Sequence, residues 1–200
     1  HVDQDQDLVA VWAHESIRVF CDRLVDEADR ISFNRILEQE LQERFKVSLK
    51  DLSKTPNLMY CDFYEESNDS RPYVQVQDLN VLDSILNSSM NEYDEMNTKK
   101  LQLVLFPDAV EHVLRISRIL RQPSGHALLL GVGGSGRQSL TRLAAHMSDY
   151  AVFQPEITKT YGTVEWLTDI RTVMKKAGFD ESPTVFLVSD SQIVQETFLE

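Results

Sequence analysis

The chain has 200 residues, 26% of them charged and 42% hydrophobic. That balance excludes a collagen, a disulfide scaffold and a chain disordered throughout, and no apolar run approaches the ~20 residues that cross a bilayer. The net charge is −12, with 21 of the 32 acidic residues in the first hundred positions. A chain this acidic is a poor binder of nucleic acid, and the asymmetry predicts two units, the second better suited to a polyanion. The opening His1-Val2-Asp3-Gln4-Asp5 is acidic where a signal peptide is basic. It has no initiator Met, so the chain reads as an excerpt from a longer protein. Cys21 and Cys61 have no CxxC spacing and read as buried free thiols.

In chain order, the spacing of Leu8, Trp12, Ile17, Phe20 and Leu24 predicts a helix over 7–27, capped by Asp5 or Asp7. A second helix is predicted from Ser32, with Phe33, Leu37, Leu41 and Phe45 as its apolar stripe. Residues 46–77 have little periodicity. Pro56 and Pro72 break them, 65–71 reads as a polar linker, and 58–63 as a short extended piece. A third helix is predicted over 78–95, with Leu79, Leu82, Leu86 and Met90 on one face. Then the rhythm changes. Residues 100–106 read as extended, and Pro107 suits the first turn of a helix running to Leu120. After the break at Pro123-Ser124-Gly125 come a buried strand (126–130), a glycine loop (131–136) and a helix (137–147). A strand over 151–157, a helix from Thr163 as cap to Lys176, and an apolar strand over 184–189 complete the pattern. Strand and helix alternate, which predicts a parallel α/β sheet preceded by a mainly helical region.

The loop Gly131-Val132-Gly133-Gly134-Ser135-Gly136-Arg137-Gln138-Ser139 is the most informative stretch. Glycines let backbone approach a ligand, and the helix N-terminus behind them offers free N–H groups and positive dipole to a phosphate. A tight turn without a ligand is the plain alternative, but such a turn needs fewer glycines. Two phosphate motifs overlap here. Gly131, Gly133 and Gly136 fit the dinucleotide fingerprint, which wants an acid ~20 positions on, and Glu156 stands there. The frame also fits a P-loop. Arg137 then stands where the phosphate lysine does, Ser139 supplies a hydroxyl, and the apolar strand at 185–188 leads to Asp190, a Walker B-like carboxylate for Mg²⁺.

The segment from His126 to Ala145, with this loop at its centre, closely resembles the fourth AAA+ module of axonemal dynein heavy chains. Residues 103–112 resemble the lead-in to that module, 185–193 its Walker B strand, and Trp12 to Leu24 the helical lid closing the third module. The resemblance implies residues 1–98 as the lid region of one AAA+ module and 99–200 as the N-terminal part of the next. The implied fold is a partial P-loop AAA+ parallel sheet behind a mainly α-helical lid. It also implies that the parent is an ATP-driven motor walking toward microtubule minus ends, located in cytoplasm and cytoskeleton, in the axoneme of a cilium or flagellum. Implied partners are the neighbouring AAA+ modules and, through the parent, microtubules and dynein intermediate and light chains, with no nucleic acid and no membrane. The local role it implies is ATP or ADP binding with weak or no hydrolysis. A dinucleotide (NAD)-binding Rossmann oxidoreductase domain is the alternative reading.

On that reading the backbone from Gly131 through Ser139 is the phosphate cradle, and Leu105 and Phe106 line an adenine pocket. Arg137 either meets phosphate or lies in solvent. Gln138 holds the usual Ser/Thr position of Mg²⁺ binding, with Ser139 rotated ~100° beyond it. Asp190 and Ser139 are the metal candidates, and the plain role for Asp190 is a cap on the next turn. No catalytic residue is assigned: Ser191 stands where an active module has its water-positioning Glu, and Gln192 is a weak substitute. His14, Glu15 and Arg18 read as an ion-paired surface, or with Arg18 reaching the nucleotide of the preceding module.

Overall fold

The computed structural model describes residues 2–65, 71–101 and 103–198. The chain forms two compact units, 1–88 with 105–118, and 89–104 with 119–200.

The first unit is helical. Helix α1 (Val2–Phe20) starts earlier than expected, so positions 5 and 7 lie inside it rather than at its cap. Its buried face is Ala10, Ala13 and His14, while Leu8, Trp12 and Phe20 stay exposed. Ile17 of the expected stripe is half-buried and packs against the core. A tight turn, Cys21–Arg23, ends α1, and Arg30 Nε holds the corner by donating to the Leu24 carbonyl at 3.0 Å. Helix α2 (Glu27–Glu40) therefore begins before Ser32, whose hydroxyl donates to the Ala28 carbonyl inside the helix. Its last turn widens over Leu41–Phe45.

Leu37 and Leu41 join Ala10, Ala13, Leu52, Leu58 and Tyr60 in one core. Short helix α3 (Leu49–Leu52) starts on a reciprocal Ser48–Asp51 cap. Strands β1 (Tyr60–Cys61) and β2 (Val74–Gln75) pair antiparallel, Cys61 opposite Val74. The expected extended piece holds β1; β2 was not anticipated. The expected linker at 65–71 lies largely outside the described residues. Cys21 and Cys61 are buried and unbridged.

Helix α4 (Leu79–Met96) buries Leu82, Leu86 and Tyr93. Helix α5 (Pro107–Arg121) starts at Pro107 as read, and buries Ala109, Val110, Val113, Leu114 and Ile116.

In the second unit, α6 (Arg137–Met147) is the helix behind the glycine loop and buries Leu140, Leu143, Ala144, Ala145 and Met147. Strands β3 (Ala151–Phe153) and β4 (Thr184–Phe186) pair in parallel, Phe153 opposite Phe186. Between them in sequence runs α7 (Thr163–Gly178). Thr163 is its first residue, not its cap: Gly162 precedes the helix, and its N–H donates to the Glu165 carboxylate at 2.9 Å. Trp166 lies flat on Phe198, with ring centroids 4.9 Å apart and planes 4° from parallel, and leans on Phe186.

One expectation fails. Residues 126–130 form no buried strand: no described residue pairs with them, and Leu128 and Leu130 are 84% and 83% exposed. A parallel strand is buried only when neighbours and covering helices enclose it, and here β3 and β4 pair with each other instead. The sheet is thus two strands where the alternation of elements predicted more. Residues 103–106 likewise belong to no strand. No helix among the described residues is long and apolar enough to cross a membrane.

Candidate nucleotide site

The loop 131–136 enters α6 through a turn closed by Ser135 N–H on the Val132 carbonyl. Gly134 and Gly136 sit at φ +80° and +78°, which a side chain rarely tolerates. A Cβ on Gly133 or Gly134 would meet nothing within 4 Å, so this backbone faces open space. A Cβ on Gly136 would lie 3.3 Å from Leu103 Cδ1, so Leu103 packs beneath the start of α6. The Leu140 N–H already serves the Gly136 carbonyl at 2.8 Å. The N–H groups ahead of it belong to the first turn of an 11-residue helix, which has no internal acceptors for them.

Arg137 does not extend into solvent. Its guanidinium folds back to donate to the Val132 carbonyl at 3.1 Å and the Leu129 carbonyl at 3.4 Å. It braces the loop from behind while its charge stays beside the open backbone. Gln138 is exposed, and Ser139 is half-buried. Leu105 and Phe106 belong to the other unit, the first half-buried and the second exposed.

β3 and β4 run parallel, so the residues after them emerge at one end of the sheet. The Phe153 carbonyl accepts the Leu187 N–H at 2.9 Å, continuing the pairing. Asp190 follows, exposed, at the start of the tight turn Asp190–Gln192. The Ser191 hydroxyl lies 3.0 Å from that of Ser189. Gln192 is buried, and its amide is committed. Its oxygen accepts from the Ser189 N–H at 2.8 Å, the Ser189 hydroxyl at 3.0 Å and Gln154 Nε2 at 3.1 Å, and its nitrogen donates to the Pro155 carbonyl. It is not available to hold a water molecule. Gln154, just past β3, also donates to Gln138 Oε1 at 3.2 Å and accepts from Arg142.

Sequence reading missed Gln154. A polar residue after a strand carries no motif, and only the parallel pairing shows that it stands between α6 and the Asp190 turn.

The donors offered at this end, Asp190 and the serine hydroxyls, are oxygen atoms, as Mg²⁺ requires. No group of three or more His, Cys, Asp or Glu that could hold a metal occurs among the described residues. The open glycine backbone at the start of α6 suits phosphates.

In the first unit, a cavity of about 1070 Å³ is lined in part by His14, Arg18, Asp22, Tyr73, Arg115 and Arg118. Three of its arginines are paired. Arg18 meets Asp22 at 3.3 Å, Arg115 meets Glu111 at 3.0 Å, and Arg118 grips Glu15 with Nε at 2.9 and 3.1 Å from the two carboxylate oxygens. Glu15 and Arg18 are thus each ion-paired, one of the two readings of this face, while His14 lies buried beside them. In the second unit, His146 stands 3.7 Å from Glu92 and edge-on to Tyr93, a packing role.

A glycine loop feeding a helix beside a parallel strand with a carboxylate past its end, together with a separate helical unit, defines a P-loop AAA+ module with a lid. Residues 101–200 match the family model of the P-loop-containing dynein motor region D4, and residues 1–55 that of the AAA+ lid domain. The chain therefore belongs to the dynein heavy-chain family, as a piece of its AAA+ motor region. It is 46% identical over its whole length to dynein axonemal heavy chain 1 of Mus musculus and 44% identical to that of Homo sapiens. Over 99% of its length it is 41% identical to dynein axonemal heavy chain 2 of Homo sapiens. The chain spans 5%, 5% and 4% of these relatives. The Rossmann oxidoreductase reading finds no support in these matches.

Proposed function

We propose that the chain is part of the ring of a microtubule minus-end-directed motor ATPase, and that its own role is to hold ATP or ADP with little or no hydrolysis. On this reading 1–98 is the lid region of one AAA+ module and 99–200 the beginning of the next. The backbone of residues 131–139 cradles the phosphates. Asp190 with Ser139 would hold Mg²⁺. Bound Mg²⁺ would neutralise phosphate charge there. Its partners are the neighbouring AAA+ modules and, through the whole heavy chain, microtubules and intermediate and light chains. Its place is the axoneme of a cilium or flagellum.

The observation that carries this reading is the backbone of Gly133 and Gly134, open to approach at the start of α6. The test is a titration of the complete heavy chain, its other modules silenced, with Mg-ATP, Mg-ADP and NAD. Saturable binding of an adenine nucleotide but not NAD is expected. Binding of NAD alone, or of none, would overturn the reading.

Arg137→Ala is expected to weaken nucleotide binding without abolishing it. One charge-assisted hydrogen bond is worth about 1.5–3 kcal/mol, and the backbone N–H groups survive the substitution. The same titration checks this, and an unchanged affinity would leave Arg137 as a brace for the loop only.

A further inference from the structure

We infer that Gln154 is a positioning residue that sets how strongly Mg²⁺ supports nucleotide binding at this loop, an inference resting on the nucleotide reading above. Its amide orientation is fixed. Arg142 can only donate, so the Gln154 oxygen faces it, and the Gln154 nitrogen faces the oxygens of Gln138 and Gln192. One side chain therefore ties together two parts of the site that no backbone hydrogen bond joins. Gln138 is the second residue of α6, at the phosphate end of the loop. Gln192 closes the tight turn that Asp190 opens, and holds that turn through Ser189 and Pro155.

The loop and Asp190 would hold a cation together only while the loop and the turn keep their separation. A nucleotide held without metal uses the loop alone. Gln154 is half-buried and Gln192 buried, so their hydrogen bonds face little competition from water. Gln138 is the exposed end of the chain of amides. Its oxygen is engaged by Gln154, which keeps the side chain directed to the strand end.

The experiment uses the complete heavy chain with its other modules silenced, and measures fluorescent-ADP affinity with Mg²⁺ and with excess chelator. Gln154→Leu keeps the bulk and loses the amide. The expected result is about a tenfold loss of affinity with Mg²⁺, with metal-free affinity unchanged. Gln154→Met, which also loses the amide but keeps a flexible side chain of similar length, is expected to reproduce the Mg-specific loss. It serves as the test if Gln154→Leu does not fold. Equal losses with and without metal in either variant, or no change in either condition, would overturn the inference alone. Absence of nucleotide binding by the unmodified chain would overturn the nucleotide reading and this inference with it.

Discussion

Ser191→Glu is expected to raise ATP hydrolysis at this loop by ~10²–10⁴-fold, the contribution of a positioned acid–base side chain. Hydrolysis needs a water molecule held in line with the terminal phosphate and relieved of its proton. On the nucleotide reading proposed above, that work falls to the residue after Asp190, and here it is a serine whose hydroxyl lies 3.0 Å from that of Ser189. A serine hydroxyl is not basic at neutral pH. Gln192 cannot replace it, because its amide oxygen accepts three hydrogen bonds and its nitrogen serves Pro155. Position 191 is exposed, so a glutamate can be accommodated there without burying its charge. The measurement is single-turnover hydrolysis in the complete heavy chain with its other modules silenced. If the unmodified site already turns over as fast as an active module, Ser191 is not the lesion.

Elements whose signals are local could be read from the sequence. Helix α4 lies within a residue of its expected bounds because Leu82 and Leu86 carry a stripe with no competing side chains. Helix α5 starts at Pro107 because proline gives up no hydrogen bond there. The buried face of α1 was less legible because it is made largely of alanines and a histidine, while Leu8, Trp12 and Phe20 of the expected stripe are exposed. The segment 126–130 was misread because an apolar run predicts burial but not the neighbour that must provide it.

The candidate site divides the same way. The glycine loop was legible because positive φ and close approach demand glycine at fixed places, and Gly134 and Gly136 hold such conformations. The contact of Leu103 with the start of α6 at Gly136 carried no signal in the sequence, because residues 33 positions apart share no local pattern. The chain of amides through Gln154 was not legible at all. Its members lie far apart in sequence, and only the parallel register of β3 and β4 gathers them.

The first unit is expected to lose about 3 kcal/mol of stability between pH 6.5 and pH 4 through His14 alone. The imidazole is 5% exposed, and its Nδ1 lies 2.9 Å from the Leu58 carbonyl. A carbonyl can only accept, so Nδ1 carries the proton, and Nε2 accepts from the Tyr73 hydroxyl at 3.1 Å. A second proton on Nε2 would break that bond and place a charge in the interior. Burial drives the His14 pKa from 6.5 down to about 4; the Leu58 bond and Glu15 oppose the shift, while Arg18 and Arg118 add to it. Above pH 6.5 the ring is neutral in both folded and unfolded chains, and the stability is whole. Between pH 6.5 and 4 the unfolded chain takes up a proton that the folded one refuses, so stability falls as pH falls. Below pH 4 both are protonated and the loss levels off. His14→Asn can still donate to Leu58 but cannot titrate. It is expected to cost stability at pH 7.5 and to flatten the acid slope, as read from urea unfolding of the chain at several pH values. An acid slope as steep in the variant as in the unmodified chain would assign the pH dependence to other groups.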